Sequence, residues 1–200
     1  MRIALLLSLL VVSTLSTLGV AQEKLVVLAA HYGDLPDGKN VDVTTKVKEL
    51  VKDNSLRLEA SNDLFGDPAE QVGKRLRVRY RLGDHESETL VSEGETMLLP
   101  IPKLAGELVI QKAVYGDLPH GPTYDVTEVV KGYLKNNQLD VAVENDLFGD
   151  PASGSFKRLR VEYSIGKIQL AKSVYEGGRM KISVPVEKKE SKAETSPAKN

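Results

Sequence analysis

Two periodicities alternate along this chain, and the order in which they alternate is written twice. Between Leu25 and Tyr32, the residues Val26, Ala30 and Tyr32 fall on one parity, the period-2 mark of a half-buried strand. Gly33-Asp34-Leu35-Pro36 breaks that strand into a loop. Val47, Leu50 and Val51 then recur at i, i+3 and i+4, which predicts a short amphipathic helix with Thr44 as its N-cap. The helix should run out at Asp53-Asn54. Leu56, Leu58 and Ala60 alternate with Arg57 and Glu59, a strand with one wet face. Leu76, Val78, Tyr80 and Leu82 predict a further strand that turns at Gly83-Asp84 into a two-residue hairpin. Met97, Leu99 and Ile101 form the closing strand, ended by Pro102.

The same pattern returns 83 residues later without insertion or deletion. Asn62-Asp63-Leu64-Phe65-Gly66-Asp67-Pro68 reappears unchanged as Asn145-Asp146-Leu147-Phe148-Gly149-Asp150-Pro151. Tyr32-Gly33-Asp34-Leu35-Pro36 becomes Tyr115-Gly116-Asp117-Leu118-Pro119, Asp42-Val43-Thr44 becomes Asp125-Val126-Thr127, and Lys74-Arg75-Leu76-Arg77-Val78 becomes Lys157-Arg158-Leu159-Arg160-Val161. This reads as a tandem duplication of a module of about 80 residues, large enough for a small core of its own. The expected class is mainly β (α+β): two β-sandwich-like modules, 22–104 and 105–187, each of about five strands and one short helix. Lys103 to Gly106 is so short a join that the modules must touch.

Differences between the copies are informative too. A two-residue turn sets Arg81 opposite Glu86 and Arg79 opposite Glu88; the second copy has Ser164 with Gln169 and Glu162 with Ala171. Both members of each pair change together, as cross-strand ion pairing favours. On the strand after the turn, His85 and Ser87 become Ile168 and Leu170. The second copy is therefore expected to bury this edge more deeply, against its neighbour, while the first leaves it wetter.

Composition narrows the class. Residues 1–21 combine Arg2, an apolar run and Gly19-Val20-Ala21, the pattern of a secretory signal cut after Ala21. That predicts a secreted or periplasmic protein with no membrane span in its mature form. Residues 188–200 are polar and aperiodic, the composition of a disordered tail. The chain has no cysteine, which excludes disulfides and thiol catalysis, and a net charge of −1, which makes no case for nucleic acid.

The twice-written loop is the strongest candidate for chemistry. Asn62, Asp63, Phe65 and Asp67, with Asn145, Asp146, Phe148 and Asp150, are the candidate ligand-binding residues. One reading makes them structural: Asn and Asp close Asx-turns, glycine takes φ > 0, and Leu64 and Phe65 plug the core edge. Another has Asp63, Asp67 and Asp34 offering oxygens to Ca²⁺, although their spacing is not that of a known calcium loop. A sugar or peptide at the same loop is the third. Arg75, Arg77, Arg79 and Arg81 form a stripe that could grip a sulfated or carboxylated polymer, or be a solvated, ion-paired face. Enzyme signals are thin: His31, His85 and His120 are not repeated, and no nucleophile elbow, zinc motif or phosphate loop occurs. No catalytic residue, metal or cofactor is assigned. The expected function is a non-enzymatic interaction or scaffold protein with an envelope or extracellular partner, protein or polysaccharide. A Ca²⁺-dependent carbohydrate-binding protein is the alternative, and a secreted hydrolase a distant third.

Tyr-Gly, Asp-Val-Thr, Leu-Phe-Gly-Asp-Pro and Lys-Arg-Leu-Arg-Val-x-Tyr, closed by an apolar strand and Pro, resemble the C-terminal domain of mitochondrial DnaJ-like proteins of subfamily C, member eleven. They are also similar to modules of exported bacterial proteins of planctomycete type. The resemblance covers each module nearly end to end and brings no catalytic residues with it. The chain lacks a J domain and its His-Pro-Asp triplet, so the resemblance implies neither co-chaperone activity nor mitochondrial residence.

Overall fold

A β-bulge decides which side of the first strand is buried. In the computed structural model, which describes residues 23–184, β1 (Leu25–Gly33) pairs antiparallel with β4 (Arg75–Leu82), and its register shifts between Val27 and Ala29. The shift turns Leu25 and Val27 inward before it, and Ala30 and Tyr32 after it. Val26 therefore does not share a face with Ala30 and Tyr32 as simple alternation predicts, because a bulge inserts one residue and flips the parity. The second half repeats this, with Leu108 and Ile110, then Ala113 and Tyr115, inside.

The first half continues with β2 (Asn40–Asp42), α1 (Thr44–Glu49), β3 (Leu56–Glu59), α2 (Asn62–Phe65), β5 (His85–Ser92) and β6 (Thr96–Leu99). The second has β7 (Leu108–Gly116), β8 (Thr123–Asp125), α3 (Thr127–Gly132), β9 (Leu134–Lys135), β10 (Gln138–Ala142), α4 (Asn145–Phe148), β11 (Arg158–Ile165), β12 (Ile168–Tyr175) and β13 (Arg179–Ser183). The protein is mainly β. A four-stranded sheet, β2-β1-β4-β5, faces the two-stranded β3-β6; in the second half β12-β11-β7-β8 faces β13-β10-β9. Each half has its own core. Tyr32, Leu76 and Val78 meet Leu56, Leu58, Met97 and Leu99 in one, and Tyr115, Leu159 and Val161 meet Leu139, Val141, Met180 and Ile182 in the other.

Several local expectations need correction. Each half has two short helices, because Asn-Asp-Leu-Phe is a helical turn and not a loop. Thr44 does not cap α1 with its hydroxyl. Its Oγ1 accepts the Ala30 N–H at 2.9 Å, tying the helix to β1, and the Asp42 carboxylate accepts the Thr44 N–H at 2.8 Å. The Thr44 hydroxyl and N–H hold the Asp42 carboxyl below its usual range, and Thr127 does the same for Asp125. Asp53-Asn54 and Asn136-Asn137 do not merely end the helices. All four have positive φ (47°, 54°, 50° and 62°), and they turn the chain back into Ser55 and Gln138 as tight hairpins. The closing strand β6 stops at Leu99, which leaves Ile101 65% exposed beyond it.

The long hairpins follow the expected register: Arg79 faces Glu88, Arg81 faces Glu86, Ser164 faces Gln169 and Glu162 faces Ala171. Gly83 and Gly166 occupy the first turn position with φ of +58° and +57°, a conformation that suits glycine. The expected signal and tail, residues 1–21 and 188–200, lie outside the described residues.

Candidate functional site

The repeated loop is folded around two internal partners, an aromatic one and a cationic one. Its helical turn begins at Ser61, whose Oγ accepts the Leu64 N–H at 3.3 Å, and ends at Gly66, with φ +80°. The turn lays the Phe65 ring against Tyr32 with centroids 5.1 Å apart; the Tyr32 hydroxyl donates to Asn62 Oδ1 at 2.9 Å. Phe148, Tyr115 and Asn145 repeat this at 5.2 Å and 2.8 Å. Burial pushes both phenols well above the usual tyrosine range, so they stay protonated donors.

Beyond the turn, Asp67 receives the ammonium of Lys74, a lysine only 3% exposed. Lys74 Nζ lies 3.1 Å from Asp67 Oδ1 and 3.5 Å from Glu93 Oε2, and donates to the carbonyls of Ala69 and Val72 at 3.2 and 3.0 Å. Lys157 sits 3.2 Å from Asp150 and 3.1 Å from Glu176, with the carbonyls of Ala152 and Ser155 at 3.4 and 3.3 Å. Two carboxylates and two carbonyls around one positive charge are the oxygen set a hard cation would want. Here an ammonium holds the place. Glu176 first, then Asp150, raises the Lys157 pKa and fixes it in the charged form. The repetition of Lys74 as Lys157 was legible in the sequence, but no role attached to it there. The signal was a lysine on the inward parity of its strand, in step with Leu76, Val78 and Tyr80 in the first half and with Leu159, Val161 and Tyr163 in the second.

The candidate residues therefore separate into classes. Phe65, Phe148, Asn62 and Asn145 are drawn into their own module, and Asp67 and Asp150, though still exposed on one side, are held by its buried lysine. Asp63 and Asp146 stay exposed. Asp63 and Asn62 line a cleft of about 300 Å³ between the halves, together with Glu93, Arg158, Arg160 and Glu162. Across it, His120 Nε2 comes within 3.6 Å of Asp63 Oδ1.

That cleft borders a polar contact between the two halves. The outer face of β11 and β12 receives the turn Glu93-Gly94-Glu95 of the first half. Arg160 clamps Glu59 with two nitrogens at 2.5 and 2.7 Å and also donates to the Gly94 carbonyl at 3.2 Å. Arg158 Nη1 lies 2.9 Å from Glu93, a charge contact without hydrogen-bond geometry, while its guanidinium rests 5.7 Å over the Tyr175 ring. The Tyr175 hydroxyl donates to Glu93 at 3.3 Å, and the Ala171 N–H to Thr96 Oγ1 at 2.9 Å. Gly94 must be glycine: a Cβ there would fall 2.2 Å from Ser173 Oγ. Ala171 and Ser173 are buried, whereas their counterparts Glu88 and Leu90 are exposed. The second copy does bury this edge more deeply, as expected. The residues responsible have the opposite parity, however. Leu170 packs into its own core, and the interface takes the other face of β12.

Exchange of the central pair tests this contact. Arg160→Glu should lower stability by about 1 kcal/mol, since the pair is partly exposed, and Glu59→Arg in the same chain should recover most of it. Denaturant titration of the four variants measures the coupling, and strictly additive effects would show that the clamp contributes nothing.

Comparison with known proteins places these features in context. No solved structure matches the chain. It is 33% identical over 132 residues to a protein of Formosa agariphila described as "Putative beta-glucuronidase"; the match covers 62% of this chain and 11% of that one. The chain thus spans about a tenth of that relative's length. Residues 20–100, which hold the first loop, its lysine and the docking turn, match the family of the DnaJ-like protein C11, C-terminal domain.

Proposed function

We propose that this chain is an exported, non-catalytic binding protein built of two copies of one β module, and that it docks onto an extracellular or envelope partner. The docking of the second half on the first carries this reading: the outer sheet face of the module is a surface that seats an acidic turn through paired guanidiniums. The repeated loops support it as well. Their Asn and Phe side chains and the second Asp of each are engaged by Tyr and Lys of the same module, so they shape the surface and leave little for a substrate. A segment equal to 11% of a relative described as a glucuronidase suits an accessory role beside a separate enzyme. The N-terminal apolar run supports export. The relative's description also favours a carbohydrate as partner, although not through Ca²⁺ at the Asp67 loop, where the Lys74 ammonium already fills the oxygen cage.

The test has two arms. The mature protein should release no nitrophenol from nitrophenyl β-glucuronide above the buffer rate, and should co-sediment with an extracellular polysaccharide or envelope fraction. Turnover near the roughly 10 s⁻¹ typical of enzymes would move the chain to the hydrolases. Absence from every pelleted fraction would refute the binding role.

A further inference from the structure

The first half carries the same outer face, on which Arg79, Arg81, Glu86, Glu88 and Leu90 are exposed and Arg75 and Arg77 half-buried. Arg75, Arg77, Arg79 and Arg81 stand at alternate positions of β4. Strand geometry spaces such neighbours by about 7 Å and makes the row about 20 Å long. In the second half the counterparts of the first two, Arg158 and Arg160, grip the carboxylates of Glu93 and Glu59. None of the four first-half arginines makes an ion pair among the described residues. Glu88 and Glu86 oppose Arg79 and Arg81 in register, while Arg75 and Arg77 face Ser92 and Leu90. His31 lies beside Arg77 on the other flank. The row thus has two half-buried guanidiniums without an ion pair among the described residues at one end, and two exposed ones opposite carboxylates at the other.

We propose that this row binds a linear, carboxylate-bearing polysaccharide, with Arg75 and Arg77 as its central contacts; the proposal rests on the binding reading above and names its partner. Carboxylate is the ligand because the fold grips carboxylates with the same two positions in its other half. An extended polymer fits better than the acidic turn of another protein. Leu90 occupies the position of Ser173, where the seated Gly94 approaches so closely that even a Cβ would clash. Leucine blocks that approach, whereas a thin chain can lie along the open strand. A row of charges flanked by one exposed leucine also lacks the apolar centre that a protein interface needs.

Native gel electrophoresis of the whole chain in gels cast with alginate, dextran sulfate or neutral dextran tests this. Alginate should retard the protein relative to neutral dextran, and added salt should weaken the effect. Arg75→Gln with Arg77→Gln should reduce the apparent affinity about tenfold while the thermal midpoint stays near that of the parent. Glu86→Gln with Glu88→Gln should strengthen retardation, a gain that misfolding does not produce. No retardation by alginate, or equal retardation of the arginine variant, overturns the site. Retardation by dextran sulfate alone overturns the carboxylate assignment. Failure of the polymer arm with the Glu59–Arg160 coupling intact and no turnover removes this ligand and leaves the docking reading standing.

Discussion

Lys74→Met should destabilise the protein by about 3 kcal/mol, lowering its thermal midpoint by about 10 °C. The substitution keeps most of the volume and removes the charge. Breaking a fully buried pair costs about 3–5 kcal/mol, and two features place this one at the lower end. Asp67 is 38% exposed and can be hydrated, and Glu93 keeps Arg158. The carbonyls of Ala69 and Val72 lose their donor outright. Because Lys74 also contacts Glu93, the variant should loosen the turn that docks on the second half. Asp67→Asn added to Lys74→Met should recover part of the loss. The same melting curves decide the calcium alternative: with an ammonium in the cage, chelator and mM Ca²⁺ should leave the parent's midpoint unchanged. A K74M protein melting within about 2 °C of the parent would show that the ammonium is not holding the loop. In the second half, a raised Lys157 pKa means that its charge contributes stability fully below the ordinary lysine range. The contribution is lost as pH rises through the folded value, so any response lies at strongly alkaline pH.

What the sequence made legible was whatever depends on near neighbours or on repetition. Alternation located β3, β4 and β10, and the Gly83 and Gly166 turns set hairpin register to the residue. The bulge after Val27 left no mark, because Val26, Val27 and Leu28 are all apolar and each could face inward. Thr44 was misassigned for a related reason: a hydroxyl at a helix start suits both a cap and a tie to β1, and only the packing of α1 on β1 selects the tie. The Asn136-Asn137 turn could have been found, since asparagine tolerates positive φ. The inter-half clamp could not. Glu59 and Arg160 are 101 residues apart, and neither differs in type from the charges of a solvated face. Likewise, pairing logic anticipated ion pairs between Arg79 and Glu88, but register alone brings backbones together and leaves long side chains free to point elsewhere.

Phe148→Ala should cost about 3–5 kcal/mol and Phe65→Ala about 2, although the two rings lie in identical seven-residue sequences. Both stack on a tyrosine at the same angle of 43°, so the difference lies in what covers them. Phe148 is 5% exposed and belongs to the second core, whereas Phe65 only borders the first. The neighbouring β8 supplies the reason. Tyr124, at the position of Val41, brings its ring within 3.1 Å of where a Gly149 Cβ would stand; the corresponding space at Gly66 is empty to 4 Å. Tyrosine there shelters the end of α4, and valine leaves the end of α2 open to water. Tyr124→Val should therefore expose Phe148 and reduce the cost of its later removal toward that of Phe65. Denaturant unfolding of the two single variants, and of the Tyr124→Val and Tyr124→Val/Phe148→Ala pair, measures each term. Equal losses for Phe65→Ala and Phe148→Ala would show that the stacked tyrosine, and not the cover from β8, sets the contribution of the ring.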